Sequence, residues 1–457
     1  MMRAFELNEL QQVLNARQQG DNCTIHRVVT DSRLLTAGDL FVALRGPNFD
    51  GHDFVGAAEL KGAAAVVVDH QVDTRLPQLV VTDTLTALGQ LGGFNRSLFH
   101  APVFAVTGSG GKTTVKEMLA SLLASKGEVL ATEGNLNNEI GAPMTLLRLA
   151  PEHRSAVIEL GASGQGEIAR TVAFTQPDVA VLNNVMGAHL EGFGGLDGVV
   201  RAKGEIFTGL CSGGVGVVNM DSPYASVWIE RLHRLKRRVF TFGVENGAAD
   251  ISASLLQMNA DGSWRFVLDD GTDQLPVSLQ VLGRHNVANA TAAAAAWVAA
   301  GQPLTQIAGV LDRCTPVSGR LSPHPLSSGA LVIDDSYNAN ADAIKAATDL
   351  LAQLPGERVL VLGDMAELGE DSPRLHAEVG HYAAERGIER LLATGPKMQA
   401  AVDAFTALRV GAEHFTEQAT LIERLKTLLA PELTVLVKGS RSAHMDRVVT
   451  ALIEGEH

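Results

Sequence analysis

Short apolar runs alternate along the whole chain with longer stretches rich in Ala and Leu. Such an alternation of short strands and helices is typical of α/β proteins with mostly parallel sheets. The pattern separates three blocks, and residues 1–100, 101–314 and 315–457 are the predicted domains. The predicted strands are Leu40–Leu44, Ala64–Val68 and Leu79–Thr82 in the first block, Val103–Thr107, Ala156–Leu160, Val179–Asn183 and Gly216–Asn219 in the second, and Leu331–Asp334, Arg358–Leu362, Arg390–Ala393 and Thr434–Val437 in the third.

Two other patterns occur in the second block. Polar and apolar residues alternate over Ile251–Val281, which predicts antiparallel hairpins with turns at Asp261-Gly262 and Asp270-Gly271. An Ala-rich segment from about Asn286 predicts a long helix. Its apolar part, Ala292–Ala300, is the most apolar stretch of the chain but far shorter than a membrane span, so a buried helix is expected.

Charge and cysteine content narrow the class of function. The chain has 457 residues with 37 basic and 51 acidic side chains, so its net charge is −14. That charge disfavours nucleic acid as a main partner, because the summed field repels phosphates. Cys23, Cys211 and Cys314 are far apart and not in metal-ligand spacing, which predicts reduced thiols. We expect a cytoplasmic protein without a secretion signal or an integral membrane segment.

The strand Val103–Thr107 runs directly into a glycine-rich loop, and a helix is predicted after it, from about Thr113 to Ser125. Glycines let the backbone N–H groups approach a phosphate, and the helix adds the positive end of its dipole. Lys112 supplies a cation to the β- and γ-phosphates, and Thr113 supplies a hydroxyl to Mg²⁺. The predicted ATP-binding loop comprises Thr107, Gly108, Ser109, Gly110, Gly111, Lys112, Thr113 and Thr114.

This loop is shorter than the usual phosphate loop, because Thr107 stands where the first glycine is expected. It predicts ATP and Mg²⁺ as cofactors without choosing among ATPases, phosphotransferases and ligases. The guanine-reading sequence Asn-Lys-x-Asp is absent from the chain, which disfavours a GTPase.

Polar residues follow the neighbouring predicted strands. Glu159 ends one of them, where a carboxylate is placed to hold Mg²⁺ unless it is an ordinary solvated residue. His189 follows the next strand, and by itself it could be either a structural histidine or a functional ligand. Lys203 lies on a predicted helix, where by itself it is typical of a surface lysine paired with Glu205 or a neighbour.

Further polar groups occupy a helix start and three strand ends. Asn286 and Asn289 lie on one face of the Ala-rich helix, where an asparagine caps the helix or presents its amide to an adenine edge. In the third block, Asp334–Asn340, Gly363–Gly369 and Lys438–Arg441 each follow a strand. Three polar loops at the carboxyl ends of one doubly wound sheet predict a binding face.

Together these motifs resemble the Mur ligases of peptidoglycan synthesis over nearly the whole chain. The resemblance rests on the Thr-Gly-x-x-Gly-Lys-Thr loop, Glu159, His189, Lys203, the His285-Asn286 helix start and Arg320. The short loop is the family's own form. The resemblance implies an N-terminal UDP-sugar-binding α/β domain, a central P-loop ATPase domain with a mostly parallel sheet, and a C-terminal Rossmann-like domain. Within the family, Gly134–Gly141 and the three C-terminal loops are similar to those of the members that add D-alanyl-D-alanine to UDP-N-acetylmuramoyl-tripeptide.

Roles for single residues follow from the resemblance only. It implies that Lys112 contacts the ATP phosphates, that Thr113 and Glu159 bind one Mg²⁺, and that His189 and a carbamylated Lys203 serve a second metal. Asn286, Asn289, Arg320 and Asp335 are similar to ATP-binding residues. The residues implied in substrate binding are Ser32, Arg33, Arg45, Gly46, His52, Asn135, Asn137, Asn138, Tyr337, Asn338, Asn340, Lys438, Ser440 and Arg441.

The implied reaction is ATP-driven amide bond formation through an acyl phosphate, by a monomer acting on small-molecule substrates. A folylpolyglutamate synthase-like ligase has the same fold and chemistry and stays the nearest alternative. A nucleotide-switched binding module and a small-molecule phosphotransferase also fit the loop alone. Whether the third residue of the tripeptide is lysine or diaminopimelate is left open by the sequence.

Overall fold

In the computed structural model, residues 3–186 and 190–454 are described, with only the backbone described at residues 190 and 191. The first block forms a five-stranded sheet of order β2-β9-β8-β5-β4, in which only β2 runs antiparallel to its neighbour. Its elements are β1 (Phe5–Glu6), α1 (Leu7–Leu14), β2 (Arg17–Gln19), β3 (Thr24–Ile25), β4 (Arg27–Val29), β5 (Asp39–Val42), β6 (Arg45–Gly46), β7 (Phe49–Asp50), α2 (Val55–Leu60), β8 (Ala65–Val68), β9 (Gln78–Val80) and α3 (Thr84–Ser97).

The middle block forms a nine-stranded sheet of order β11-β12-β10-β13-β14-β15-β16-β17-β18. The strands from β11 to β16 pair in parallel, whereas β16, β17 and β18 form the antiparallel hairpins that the alternating pattern predicts. The elements are β10 (Val103–Thr107), α4 (Lys112–Leu123), β11 (Val129–Ala131), α5 (Gly141–Leu146), β12 (Ser155–Glu159), α6 (Glu167–Thr175), β13 (Val179–Leu182), α7 (Leu190–Phe193), α8 (Leu196–Lys203), β14 (Val215–Asn219), α9 (Ala225–Arg234), β15 (Arg238–Gly243), β16 (Ile251–Met258), β17 (Trp264–Asp269), β18 (Gln274–Ser278) and α10 (His285–Ala299).

The third block forms a six-stranded sheet of order β19-β20-β24-β21-β22-β23, parallel except for the edge strand β19. The elements are β19 (Ser322–Pro325), β20 (Leu331–Asp335), α11 (Ala341–Gln353), β21 (Glu357–Gly363), α12 (Ser372–Glu385), β22 (Arg390–Thr394), α13 (Gln399–Thr406), β23 (Ala412–Phe415), α14 (Gln418–Leu428), β24 (Leu433–Lys438) and α15 (Asp446–Glu454).

All four strands predicted for the third block are present, but the sheet has six strands, so the predicted number is wrong. It missed β19 and β23, the two edges of the sheet. The strand β19 contains two prolines, which cannot donate to a ladder and which therefore fit only an edge. The strand β23 is only half-buried and carries no apolar run. In this third sheet the hydrophobic pattern therefore identified the buried central strands and failed at the edges.

Strand order places two sets of loops side by side. In the central sheet β10 lies between β12 and β13, because the chain crosses to the outer strand β11 before it returns. In the third sheet β24 lies between β20 and β21. Ligands of open α/β sheets bind at the carboxyl ends of strands where the strand order changes direction. The strand order therefore indicates ligand sites at the loops after β10, β12 and β13, and at those after β20 and β24.

The Ala-rich helix α10 is buried, as predicted. Its alanines at 292–296 and its Trp297 are fully buried among side chains of α4 and of the central sheet. Small side chains let the helix lie close to the sheet, which fixes the start of α10 beside the glycine-rich loop. Among the described helices, none is both long and apolar enough to cross a membrane.

Asp39 anchors the first sheet and gives a testable pH dependence. Its buried carboxylate accepts hydrogen bonds from Arg27 Nε (3.0 Å), Arg27 Nη2 (2.6 Å) and the Thr36 amide (2.8 Å). Burial alone would raise the pKa of this carboxyl, but the bonds from Arg27 and Thr36 outweigh burial and hold the pKa below its usual value. The stabilisation is therefore present above the unfolded-state pKa and is lost as the pH falls below it.

We expect Asp39→Asn to lower the free energy of unfolding by about 1–3 kcal/mol at pH 7. The difference from the wild type should shrink as the pH falls below about 4, because the wild-type carboxylate then becomes protonated as well. Urea unfolding at several pH values measures it. Asp53→Asn, at an exposed position of the same block outside the sheet, is the control. A difference for Asp39→Asn that stays constant down to pH 3 would contradict the assignment.

Candidate active site

The glycine-rich loop is held between β10 and α4. Thr107, the last residue of β10, donates its hydroxyl proton to the Leu160 carbonyl at 2.7 Å. Gly111 has φ +72° and immediately precedes α4, so the helix points its N-terminus at the loop. Lys112 Nζ turns back to the Gly108 carbonyl at 3.0 Å. Burial lowers the pKa of Lys112, and the nearby Arg320 lowers it further against the field of Glu159.

The backbone N–H groups of the loop fall into two sets, those bonded to the protein and those placed for a ligand. The Ser109 amide donates to the Asn184 carbonyl at 3.1 Å, and the Gly110 amide donates to Asn184 Oδ1 at 2.8 Å. Those two N–H groups are therefore bonded to the protein. The amides of Gly111 and of the first turn of α4, which a helix leaves without intrahelical acceptors, are the ones placed for an anion.

Glu159 and Thr113 form a pair of oxygen ligands at the end of β12. The hydroxyl of Thr113 donates to Glu159 Oε2 at 2.9 Å, and Asn137 Nδ2 donates to Glu159 Oε1 at 2.7 Å. Glu159 is only 1% exposed, so the interpretation as an ordinary solvated glutamate is wrong. Arg320 Nη2 donates to Thr113 Oγ1 at 3.0 Å and brings the third block onto the loop. A carboxylate and a hydroxyl are ligands that fit Mg²⁺.

Lys203 is the last residue of α8 and is 2% exposed, so the interpretation as a surface lysine is wrong. Its Nζ lies 3.3 Å from the Ala162 carbonyl and 5.2 Å from the centre of the Phe193 ring. Burial, with the field of Lys112, lowers the pKa of Lys203 to about 7. Glu205 instead accepts hydrogen bonds from the Gly166 and Ala169 amides at the start of α6. His189 lies outside the described residues.

Asn286 and Asn289 are buried at the start of α10 and bond to each other. Asn289 Nδ2 donates to Asn286 Oδ1 at 2.7 Å, and Asn286 Nδ2 donates to the Leu282 carbonyl at 2.7 Å. Asn289 Oδ1 accepts from Asn183 Nδ2 at 2.8 Å. These bonds commit the two amide groups to the protein interior, and the predicted contact with an adenine edge stays a prediction.

The loops after β20 and β24 reach the same site from the third sheet. Lys438 Nζ bonds to Asp335 Oδ2 at 2.6 Å and to the Asn338 carbonyl at 3.0 Å. Two guanidinium groups contact the Tyr337 ring, with Arg320 Cζ at 4.4 Å and Arg441 Cζ at 5.5 Å from the ring centre. Cation–π contacts of this kind hold planar guanidinium groups in place. Asn340 caps α11, its Oδ1 accepting from the Ala343 amide at 2.8 Å.

One cavity of about 440 Å³ unites the central and the third block. The predicted site residues that line it are Ser109, Gly110, Gly111, Lys112, Thr114, Asn135, Asn137, Asn138, Glu159, Asn286, Asn289, Arg320, Asp335, Tyr337, Asn338, Asn340 and Lys438. The loop Gly363–Gly369 does not line it; Asp364 there bonds to the Lys397 and Met398 amides and its carbonyl accepts from the Ser440 amide. Ser440 and Arg441 also lie outside the lining.

The predicted residues of the first block form a separate polar cluster. His52 Nε2 accepts from the Asp69 amide at 3.1 Å, so its Nδ1 carries the proton that it shares with Asp50 at 2.5 Å. Arg45 Nε contacts Asp69 Oδ2 at 2.9 Å beside Gly46. Arg33 pairs with Asp31 at the exposed turn that contains Ser32. None of these side chains lines the cavity between the other two blocks.

Sequence reasoning missed Asn183 and Asn184, which follow β13 and bond to the loop. Their signal was present in the sequence, because two successive asparagines end the strand that neighbours the loop strand. Polar residues at the carboxyl end of such a strand face the same ligand as the loop.

Three family models match successive parts of this chain. Residues 24–91 match the model "Mur ligase family, catalytic domain", residues 106–297 the "Mur ligase middle domain", and residues 319–441 the "Mur ligase, glutamate ligase domain". Each match lies within one of the three blocks that form the sheets.

Individual relatives match the chain over almost its whole length. The UDP-N-acetylmuramoyl-tripeptide–D-alanyl-D-alanine ligase of Escherichia coli (strain K12) is 47% identical, over 99% of both chains. A crystal structure of MurF from Acinetobacter baumannii is 37% identical with a TM-score of 0.93, covering 99% of both chains. A crystal structure of MurF ligase from Thermotoga maritima in complex with ADP is 28% identical with a TM-score of 0.83, covering 94% of this chain and 97% of that one.

Proposed function

The chain belongs to the Mur ligase family, and we propose that it uses ATP to join D-alanyl-D-alanine to UDP-N-acetylmuramoyl-tripeptide. The similarity to ligases of that name, at 47% identity over 99% of both chains, supports this substrate pair. The observation that carries the proposal is the shared cavity. It brings the phosphate loop and Glu159 together with Lys438 and Arg320 of the third block. A ligase needs this arrangement, because nucleotide and acceptor must meet at one carboxyl group.

Two displacement steps describe the reaction. In the first, the terminal carboxylate of the tripeptide attacks the γ-phosphorus of ATP, which forms an acyl phosphate and releases ADP. In the second, the free amine of the dipeptide attacks the acyl carbon, loses a proton and displaces inorganic phosphate. Lys112 stabilises the charge that develops on the transferred phosphoryl group, a role of electrostatics and positioning. Closure of the third block excludes water that would otherwise hydrolyse the acyl phosphate.

Arg320 and the C-terminal loops are proposed to bind the nucleotide and the dipeptide. Arg320 already bonds to Thr113 at the start of α4, so it is positioned for the γ-phosphate. Lys438 and Arg441 are the candidates for the free carboxylate of the dipeptide, because a fixed cation suits that group. Asp335, bonded to Lys438, is the candidate for the nucleotide ribose.

Magnesium is proposed as the metal, with Thr113 and Glu159 as ligands. The adjacent hydroxyl and buried carboxylate of these residues fit a hard cation. Bound Mg²⁺ would neutralise phosphate charge during phosphoryl transfer. Lys203 is proposed to carry a carbamate, formed when its unprotonated amine attacks CO₂ and releases a proton. The lowered pKa of Lys203, about 7, supports this, because a protonated amine cannot attack CO₂. His189 and this carbamate are proposed to serve a second metal.

The three domains are proposed to have boundaries after residues 100 and 314, with the UDP-sugar bound by the first. The polar cluster around His52 and Arg45 would supply the groups of the first domain that contact the UDP-sugar. We propose a monomer that acts in the cytoplasm, where free thiols such as Cys211 stay reduced. Light scattering coupled to gel filtration tests the monomeric state.

ADP release against a small panel of acceptors tests the proposed function. With ATP and UDP-N-acetylmuramoyl-tripeptide present, we expect ADP release to require D-alanyl-D-alanine, and an amide product to appear in equal amount. Glutamate in place of the dipeptide is the control acceptor, and a reduced folate in place of the UDP-linked peptide tests the folylpolyglutamate synthase alternative. Turnover without the dipeptide, or with glutamate alone, would overturn the substrate assignment. Nucleotide-dependent partner binding without an amide product would favour the binding module.

A further inference from the structure

Four buried asparagines connect the central sheet and α10 to the phosphate loop. Asn219, at the end of β14, donates to the Asn183 carbonyl at 2.9 Å. Asn183 Nδ2 donates to the Gly110 carbonyl at 3.0 Å and to Asn289 Oδ1 at 2.8 Å. Asn289 in turn donates to Asn286, which donates to the Leu282 carbonyl. A continuous row of hydrogen bonds thus runs from α10 to the Gly110–Gly111 peptide.

The direction of this row is fixed at its two ends. The Leu282 and Gly110 carbonyls can only accept, so both ends of the row require an amide N–H. Asn286 must therefore present its oxygen to Asn289, and Asn289 must present its oxygen to Asn183. No amide in the row can be turned over without loss of a bond. As a consequence, Asn183 Oδ1 faces away and has no hydrogen-bond partner among the described residues, although Asn183 is 1% exposed.

The row also fits closely against the loop backbone. Gly111 has φ +72°, and a Cβ there would come within 2.3 Å of Asn289 Oδ1 and 2.7 Å of Asn183 Nδ2. In a planar trans peptide the C=O and the following N–H point in opposite directions. With the Gly110 carbonyl turned to Asn183, the Gly111 N–H points away from it, and no acceptor contacts it in the described part of the chain. A buried polar atom left without a partner, as at Asn183 Oδ1, is rare and needs an explanation.

From this geometry we infer that Asn183 is a positioning residue, which turns the Gly110–Gly111 peptide so that the Gly111 N–H meets a nucleotide phosphate. The inference rests on the proposed function only in that the loop binds the phosphates of ATP. The amides of Ser109 and Gly110 are already bonded to Asn184. The orientation of the Gly110–Gly111 peptide therefore decides whether the Gly111 N–H is the first N–H group of the loop that faces the anion. Asn289 contributes by keeping the Asn183 amide in the required orientation.

Asn183→Asp tests the inference with almost no change of shape. A carboxylate oxygen in place of Nδ2 would face the Gly110 carbonyl and Asn289 Oδ1, two acceptors, so the peptide loses its donor. We expect the dissociation constant for ADP, measured by calorimetry, to rise about tenfold or more. Affinity for the UDP-linked peptide should stay within about twofold, because a different domain is proposed to bind it. Asn183→Ala is the second variant, with a rise of about tenfold expected for ADP.

Asn95 provides the matched control. It is 3% exposed and donates twice to main-chain carbonyls, those of Leu146 and Leu149, away from the loop. Asn95→Asp should lower the melting temperature as much as Asn183→Asp while ADP affinity stays within about twofold of the wild type. If Asn183→Asp and Asn183→Ala both bind ADP like the wild type, or if Asn95→Asp weakens ADP equally, the positioning role is wrong. Failure of the wild-type protein itself to bind ADP would instead contradict the proposed function.

Discussion

Lys112→Ala should reduce kcat for ADP release by about a thousandfold, as expected when a charge-stabilising group is removed from a site of phosphoryl transfer. Lys112 is the first residue of α4, and its ammonium group lies beside the loop that faces the cavity. Negative charge moves onto the bridging oxygen that leaves with ADP in the first step, and a lysine at the phosphate loop is placed to stabilise it. ADP binding should weaken less, by about tenfold, because the loop amides remain.

A stopped assay of ADP release and calorimetric titration with ADP separate these two effects. Lys116→Met is the control, since Lys116 is a buried lysine of α4 whose Nζ bonds to the Thr132 carbonyl and which does not line the cavity. That variant should lose thermal stability and keep kcat within a few-fold of the wild type. A Lys112→Ala enzyme that turns over at a near-normal rate would remove the loop lysine from the chemistry.

Local sequence predicted the parts of the site that are contiguous in the chain. The loop from Thr107 to Thr114 and its flanking strand and helix lie where the sequence placed them, because the phosphate loop is defined by residues within one short segment. Glu159 was also correctly placed at a strand end. Its burial was not predictable from its own neighbours, since it depends on contacts with Thr113 and Asn137 from other segments.

The parts that sequence reasoning missed depend on pairs that are far apart in the chain. Asn183 meets Gly110 and Asn289 only because β13 is the neighbour of β10 and because α10 packs against α4. The strand β19 was missed for a different reason, because its prolines hide an edge strand from any pattern of alternating apolar residues.

Lys203→Ala should lower kcat by about a hundredfold to a thousandfold, and a short carboxylic acid such as acetate should restore part of the activity. The proposed carbamate turns a buried cation into an anion at the end of α8. Removal of the side chain would leave a small space next to the Ala162 carbonyl, in which a free carboxylate replaces the lost charge. The intact mass of the wild-type protein, measured at neutral pH with bicarbonate present, should show the added CO₂ (about 44 Da).

The acid rescue separates a lost negative charge from a lost lysine. If Lys203 acted as an ammonium group, acetate could not replace it, whereas an added amine such as methylamine would. Lys116→Ala is the control, because any activity it loses follows from an empty space beside Thr132 and should not return with acetate. Titration of Lys203→Ala with acetate and with methylamine therefore gives opposite results for the two roles. A Lys203→Ala enzyme that recovers with methylamine and not with acetate would show that the buried amine acts as a cation, and would exclude the carbamate.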